Sequence, residues 1–368
     1  MPKKTGKKTA AAMDSINKLL GKLSRVPFVQ KMLFVHHLQI MVKAGLSIVS
    51  ALKILSEEIE NKKLKKITGE IASEVEKGKQ LSEALALYPQ IFPAVYVSMI
   101  AAGETAGKME DALHQVSEQM KKSHELTARV RGALIYPAVI LVAMVGIAIE
   151  VVFFVLPKLM VMFEEFDAEL PWATRALIWI TNFAKNYGIY AIIGIVAMVF
   201  LVIYLLKQPK IKTVVHKFNL HWPIFGKIIK KINLARFTLT LSSLLNSAIP
   251  IIEATRITAG VQSNVTYRDA LISVSEQLKK GETLSSLLTQ SPHLFPPMVH
   301  EMLMVGEQTG QLEEMLGELA QYYADEVDST MKNFSTIIEP VIILLLGLAV
   351  AGIAVAVIMP MYSLAQNF

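Results

Sequence analysis

Three long apolar runs constrain this chain more than any other feature of its sequence. Residues 133–156 contain Glu150 as their only charged residue, residues 188–206 form an uncharged 19-residue run, and residues 340–361 form an uncharged 22-residue run. The hydrocarbon core of a bilayer, about 30 Å thick, takes roughly 20 apolar helical residues. Helices in soluble cores rarely exceed about 15 residues without a charge. The runs therefore predict three transmembrane helices.

The overall composition agrees with a membrane protein. Hydrophobic residues make up 53% of the chain, and the 19 glycines raise the apolar share to roughly 58%, against about 45–50% in soluble domains. The sequence contains no cysteine, which excludes disulfides, thiolate metal sites and cysteine nucleophiles.

The net charge of +6 is distributed very unevenly along the chain. Residues 1–31 carry +7, residues 207–236 carry +8 and residues 237–335 carry −7. A basic protein first suggests nucleic acid as a partner, but the basic stretch 207–236 directly follows an apolar run, and the lysines and arginines are not interleaved with aromatic side chains. The pattern instead predicts how the spans are oriented in the membrane, with their Lys/Arg-rich flanks in the cytoplasm. We predict no direct binding of nucleic acid.

The second half of the chain repeats the first at an offset of 203 residues. Residues 78–113 and 281–316 are identical at 13 of 36 aligned positions, and the register continues to Pro137 and Pro340, which stand at equivalent places near the start of a span. The repeated unit is a soluble domain followed by one apolar run. The additional run at 188–206 returns the second soluble domain to the side of the membrane that holds the first, in agreement with the charge pattern.

The soluble parts of both copies show helical periodicity. Phe34, Leu38, Met41 and Val42 recur at helical spacing, and no sustained alternation of apolar and polar residues appears outside the spans. The predicted fold is an all-α integral membrane protein with two homologous cytoplasmic helical-bundle domains and three transmembrane helices.

Known catalytic motifs are missing from the sequence. There is no GxxxxGK[ST], HExxH or GxSxG, and the eight histidines do not cluster with carboxylates, so we predict no catalytic, cofactor-binding or metal-binding residues and no enzyme activity.

The most distinctive motif is a Gly-Glu-x-x-Gly corner that occurs once in each copy. It can be a helix–turn–helix joint in which glycine allows left-handed or close backbone geometry, or it can be a partner-docking corner or a cation site together with the acidic residues that follow it. The candidate residues are Gly103, Glu104 and Gly107, with Gly306, Glu307 and Gly310 in the second copy.

Two further features allow two interpretations each. Glu150 either lines a polar path or pairs with another subunit inside the membrane, or lies near the outer interface and reaches water. The basic segment 1–31 is either a partly disordered basic tail or a short helix on an anionic membrane surface.

The repeated pattern Leu-Ser-x-x-Leu, Phe-Pro, Gly-Glu-x-x-Gly-x-Hyd-Glu and Pro-span resembles the type II secretion F family, and the resemblance covers both copies from about residue 30 onward. It implies a non-enzymatic inner-membrane platform of a type IV pilus or type II secretion machine. By this resemblance the partners are a cytoplasmic hexameric assembly ATPase, pilins or pseudopilins, other inner-membrane assembly proteins and further copies of the chain, without cofactors. A membrane transport protein working through Glu150 is the alternative.

The expected organisation in a bacterial inner membrane is multi-pass, with a cytoplasmic N-terminus and a periplasmic C-terminus. The segments are a basic tail (1–31), cytoplasmic domain 1 (32–132), span 1 (133–157), a periplasmic loop (158–187), span 2 (188–206), cytoplasmic domain 2 (207–335), span 3 (337–361) and a periplasmic tail (362–368).

Overall fold

The computed structural model describes residues 26–155, 157, 172–223 and 225–366, and regular structure in these residues is helical throughout. This confirms the predicted all-α class. The chain divides into two compact units. Among the described residues, the first unit comprises those up to 127 together with 230–324, and the second comprises those of 128–229 together with those from 325 onward. The bundles of short helices that precede the long apolar helices in both copies therefore lie within one unit.

The first copy consists of five short helices and one long helix. They are α1 Phe28–Lys43, α2 Ile48–Glu58, α3 Lys62–Glu76, α4 Leu81–Ala86, α5 Ala94–Thr105 and α6 Met109–Glu150. Local chemistry sets several of the ends. The Ser47 side chain accepts a hydrogen bond from the Ser50 N–H, Asn61 caps α3, and Gly78 follows α3 with φ 92°, which glycine adopts at little cost.

The second copy has the same order of helices after two connecting ones. The connecting helices are α7 Trp172–Lys207 and α8 Pro209–Asn219. The helices of the second copy are α9 Phe225–Asn246, α10 Ile251–Val261, α11 Val265–Leu278, α12 Leu284–Thr289, α13 Pro297–Thr309 and α14 Leu312–Gln366.

The two copies build their cores around equivalent aromatic pairs. The ring centroids of Phe34 and Phe92 lie 5.5 Å apart, and those of Phe237 and Phe295, 203 residues further on, are also 5.5 Å apart. All four side chains are buried. Each pair joins the first helix of a copy to the Phe-Pro turn before its fifth helix, so the repeat in sequence is a repeat in packing.

The second unit contains the apolar parts of the long helices. Met109–Val155 and Leu312–Gly352 are long and apolar enough to cross a membrane by length and composition, and their apolar windows are 0% and 6% buried within the chain. A core helix of a soluble protein would be mostly buried. The last five residues of the first stretch, Val151–Val155, form a π-helix directly after Glu150.

Helix bounds differ from the predicted segment bounds in three places. The first helix, α1, begins inside the segment predicted as a tail, whose residues before 26 lie outside the described part. Helix α7 begins at Trp172, inside the segment predicted as a loop, and extends through the predicted second span. Neither α6 nor α14 breaks where a soluble domain was expected to meet a span, since each is one continuous helix.

Pro137 lies inside α6 and leaves one backbone carbonyl without its helical partner. Because proline has no N–H, the carbonyl of Ala133, four residues earlier, loses its usual donor. The hydroxyl of Ser335 in α14 lies 3.2 Å from this carbonyl oxygen and also 3.2 Å from the Met331 carbonyl of its own helix, so its one proton is shared between the two acceptors. Helices α6 and α14, the equivalent helices of the two copies, are thus joined at the proline.

Candidate functional site

The Gly-Glu corner of the first copy is a tight joint between α5 and α6. A Cβ atom on Gly103 would lie 2.2 Å from the Cβ of Ala112 and 3.0 Å from the carbonyl oxygen of Lys108, and Gly107 has φ 69°. Helix α5 ends with the Lys108 N–H bonded to the Gly103 carbonyl over 2.7 Å, as in a Schellman motif. Gly103 thus allows the two helices to approach closely, and Gly107 reverses the chain.

Glu104 connects this corner to the start of α4. Its carboxylate accepts hydrogen bonds from the Leu81 N–H at 2.7 Å, from the Ser82 N–H at 3.1 Å and from the Ser82 hydroxyl at 2.7 Å. The residue before α4, Gln80, makes no side-chain cap. Glu104 therefore supplies from another helix the acceptors that a helix N-terminus requires.

The second copy repeats this arrangement. The Glu307 carboxylate accepts hydrogen bonds from the N–H of Leu284 at 2.6 Å, from the N–H of Ser285 at 3.3 Å and from the Ser285 hydroxyl. Gly310 has φ 72°, and a Cβ on Gly306 would lie 3.0 Å from the Cα of Leu312. Both corners are the joints that one of the two sequence interpretations predicts.

Ser82 and Ser285 are the partners that the sequence analysis did not assign. Both are buried, and each lies 22 residues before the glutamate that it contacts. The constant spacing from Leu-Ser to Gly-Glu in both copies was the available signal. The carboxylates bind backbone and hydroxyl donors of the protein, which is the role of a structural cap and not of a nucleophile. Within the described residues, no group of three potential metal ligands comes together.

The corner of the first copy also borders the second copy, within the first unit. A cleft of about 730 Å³ lies between Gly103 on one side and Ala248, Ile249 and Pro250 on the other. Ala248 has φ 58°, a left-handed conformation that costs roughly 1–2 kcal/mol for a residue with a Cβ. Its counterpart in the first copy is Gly45, with φ 88°. The second copy thus retains the turn without the glycine.

Tyr96 lies on the first copy's side of the same boundary. It is buried, and this burial raises the pKa of its hydroxyl to about 12, with smaller opposing effects from a hydrogen bond to Ser123 and from the charge of Arg236 in the second copy. Burial also lowers the pKa of Arg236. The phenol of the first copy therefore lies within electrostatic range of the half-buried Arg236 of the second copy.

The repeated module matches a known family twice. The family model described as Type II secretion system (T2SS), protein F, matches residues 34–157 and residues 237–360, and both ends of these ranges are separated by the 203 residues of the internal repeat. The chain belongs to the T2SS protein F family. Its membership confirms the resemblance seen in the sequence motifs, and the double match confirms the internal repeat.

Curated relatives extend the similarity over most of the chain. It is 33% identical over 334 residues to the type IV pilus assembly protein PilC of Myxococcus xanthus, which covers 91% of this chain and 80% of the relative. It is 33% identical over 349 residues to PilC of Pseudomonas aeruginosa, covering 94% and 92%. It is 30% identical over 328 residues to the type II secretion system protein F of Vibrio cholerae, covering 89% and 80%.

The remaining sequence candidates also lie in the family module. Pro137 and Pro340 occupy equivalent positions in α6 and α14, where Pro137 is buried and Pro340 is exposed. Glu150 is the last residue of α6 and is exposed within the chain. The structure therefore brings the glycines and glutamate of each corner together and leaves the prolines and Glu150 elsewhere, on the long helices.

Proposed function

We propose that this protein is an inner-membrane platform of a type IV pilus or type II secretion machine. In this role it couples a cytoplasmic assembly ATPase to the extraction and polymerisation of pilins or pseudopilins, and it catalyses no reaction itself. The observation that carries the proposal is the double match to the T2SS protein F family, together with relatives named for type IV pilus assembly and for type II secretion.

The architecture suits a scaffold. Each copy places a bundle of short helices before a long apolar helix, and the two bundles form one compact unit. The corner motif, the most distinctive sequence feature, fixes helix geometry through its glycines and through the buried serines that its glutamates contact. We propose that the corner residues act by shaping the cytoplasmic surfaces that partners recognise, so that their contribution to assembly is made through position and not through bond-making chemistry.

The proposed topology has three membrane-spanning helices and both helical bundles in the cytoplasm. Two apolar helices with largely exposed windows support it, as does the third apolar run within α7 and the basic flank of residues 207–236. Reporter fusions after Lys122, Asp167, Lys217 and Phe368 test the arrangement. They should read cytoplasm, periplasm, cytoplasm and periplasm, and a cytoplasmic signal at Asp167 would overturn it.

Deletion of the gene in its host bacterium tests the assembly role. We expect the loss of surface pili or of secreted substrates, with restoration by the full chain supplied in trans. Copurification of a secretion-type ATPase with the tagged protein from membranes tests the coupling. Normal assembly in the deletion strain, without a second family member in the genome, would refute the proposal.

Glu150 separates this proposal from a transport role. Its position at the end of α6, six residues before the end of the apolar run 133–156, fits a carboxylate near an aqueous boundary. A Glu150→Gln chain should therefore restore pili or secretion in the deletion strain as well as the unmodified chain does. A strain that assembles normally but loses the flux of a solute would favour the transport alternative.

A further inference from the structure

Within the first unit, the two copies contact each other through non-equivalent helices. Helix α6 of the first copy packs on α9 of the second. The Gln119 side chain donates to the Thr240 hydroxyl over 3.4 Å and accepts from the Ser243 hydroxyl over 2.7 Å. One turn away, the Gln115 side chain donates to the Asn246 carbonyl over 3.2 Å. Helices α5 and α10 also contact each other. We call this boundary the seam.

The seam uses different faces of the two copies, so it is heterologous. The first copy contributes its fifth and sixth helices, which we call its C-face, and the second copy contributes its first and second helices, which we call its N-face. A heterologous contact leaves one complementary face free at each end of the pair. These free faces are the N-face of the first copy, on α1 and α2, and the C-face of the second copy, on α13 and α14.

Both free faces expose large apolar side chains. On the N-face of the first copy, Leu33, Ile40 and Ile54 are exposed. On the C-face of the second copy, Met304, Val305 and Tyr322 are exposed. Clusters of exposed apolar residues on a folded surface are typical of an interaction site. Their positions at the faces that form the seam elsewhere in the same molecule indicate which surface covers them.

Adding or subtracting the repeat offset of 203 residues gives, for each residue of the seam, the equivalent residue on one of the free faces. Gln119 and Ser243 correspond to Tyr322 and Ile40, which are 43% and 49% exposed. A polar pair inside the chain thus becomes an apolar pair between the free faces, each member of which would gain from burial.

The next contact of the seam translates into a charge pair. Gln115 and Asn246 correspond to Glu318 and Lys43, which are both exposed. Two more glutamates on the same C-face, Glu301 and Glu314, are also exposed, so this face is acidic where the N-face presents Lys43. The two free faces are therefore complementary in charge as well as in apolar character.

We propose that a second copy of this chain places the C-face of its second repeat on the N-face of the first repeat of its neighbour. The contact repeats the seam between chains and joins them head to tail. On the proposed topology, on which this step rests, both copies send their last helix into one membrane. The rotation that relates successive chains then has its axis along the membrane normal, so repetition stays in one plane and gives a ring where the rotation closes.

Cysteine cross-linking of the full chain tests the contact, because the natural sequence has no cysteine. A chain with Ile40→Cys and a chain with Tyr322→Cys are produced together in membranes and treated with a short bis-maleimide. We expect a cross-linked dimer from the mixture, higher oligomers from the chain that carries both substitutions, and monomers from either single variant alone.

The internal seam supplies the matched control for cross-linking. A chain with Gln119→Cys and Ser243→Cys should form the equivalent link within one molecule and remain a monomer. A mixture that stays monomeric while this control reacts would overturn the proposal. Efficient linking of Ile40→Cys chains to one another would also overturn it, because it would indicate a symmetric N-face contact.

Charge reversal at Lys43 and Glu318 gives a second test. The readout is the fraction of the detergent-solubilised full chain that has the mass of an oligomer. Lys43→Glu or Glu318→Lys alone should weaken oligomer formation by about two- to fivefold, the range of an exposed ion pair. The two reversals in one chain should restore it. Lys62→Glu, with the same change of charge on α3, should have no effect. Equal weakening by Lys62→Glu, or no restoration in the double reversal, would contradict the contact.

The two proposals fail in different ways. A chain that cross-links head to tail but whose deletion leaves pili and secretion intact would retain this interface and refute the platform role. A chain that is required for assembly but does not cross-link would retain the platform role and refute the interface.

Discussion

The Glu104 carboxylate accepts a hydrogen bond from the Ser82 hydroxyl at 2.7 Å, and Glu307 holds Ser285 in the same way in the second copy. In both copies, the glutamate of the Gly-Glu corner also binds the first N–H groups of the short fourth helix of its repeat. The joint between the fifth and sixth helices is thereby tied to the fourth. The motif is a three-helix clamp built from one carboxylate and one serine.

Replacement of Glu104 by alanine should loosen this clamp. The N–H groups of Leu81 and Ser82 would lose their acceptor in a partly buried place, which costs about 1–3 kcal/mol. We expect the Glu104→Ala chain to melt at a lower temperature in detergent, with α4 exchanging its amide hydrogens faster. Glu83→Ala, an exposed change on the same helix, serves as the control, and equal effects of the two would contradict the clamp.

Gly103→Ala tests the close approach of α5 and α6. The new Cβ would lie 2.2 Å from the Cβ of Ala112, and both atoms are fixed by helical backbone, so the helices must separate. Overpacking of this kind costs about 1–3 kcal/mol. Gly69→Ala places a methyl group in open space inside α3 and should be neutral or stabilising by up to about 1 kcal/mol. Thermal unfolding of the two full-length variants distinguishes these outcomes.

The sequence predicted the helical class, the repeat and the glycine corners because each depends on local pattern or on self-similarity. The glutamate cap escaped prediction because Ser82 and Glu104 come together only after α4 and α5 have packed. The hydrogen bond from Ser335 to the Ala133 carbonyl could not be predicted either, because it joins residues of the two copies that are 202 positions apart in the sequence. The seam could not be inferred either, because identical motifs do not reveal that different faces of the copies meet.

Ala248 and Gly45 occupy equivalent turns, but the left-handed backbone conformation costs more free energy at Ala248 than at Gly45. Ala248 has φ 58°, so Ala248→Gly should relieve left-handed strain and stabilise the chain by about 1 kcal/mol. Gly45→Ala should introduce the same strain at φ 88° and destabilise by a similar amount. Both measurements use thermal unfolding. A destabilised Ala248→Gly chain would show instead that the methyl group contributes contacts at the cleft beside Gly103.

Ser335→Ala should weaken the junction between α6 and α14. The substitution leaves the Ala133 carbonyl, already deprived of a donor by Pro137, without the Ser335 hydroxyl, at a cost of about 1 kcal/mol. Thr336→Ala is the matched control, because the Thr336 hydroxyl bonds to the Lys332 carbonyl within its own helix. We expect a lower melting temperature for Ser335→Ala than for Thr336→Ala, and the reverse order would contradict the junction.

Tyr96 predicts how the boundary between the copies responds to alkaline pH. Burial raises the pKa of its hydroxyl from the usual 10 to about 12, so the folded chain holds this proton more tightly than the unfolded chain does. The stabilisation that results is fully present below pH 10 and is lost as the pH rises from 10 through about 12. Tyr96→Phe has no proton to lose, so its melting temperature should fall less steeply over this range than that of the unmodified chain. Melting curves recorded across the same pH range test the comparison. Parallel curves for Tyr96→Phe and the unmodified chain would show that Tyr96 does not govern alkaline unfolding.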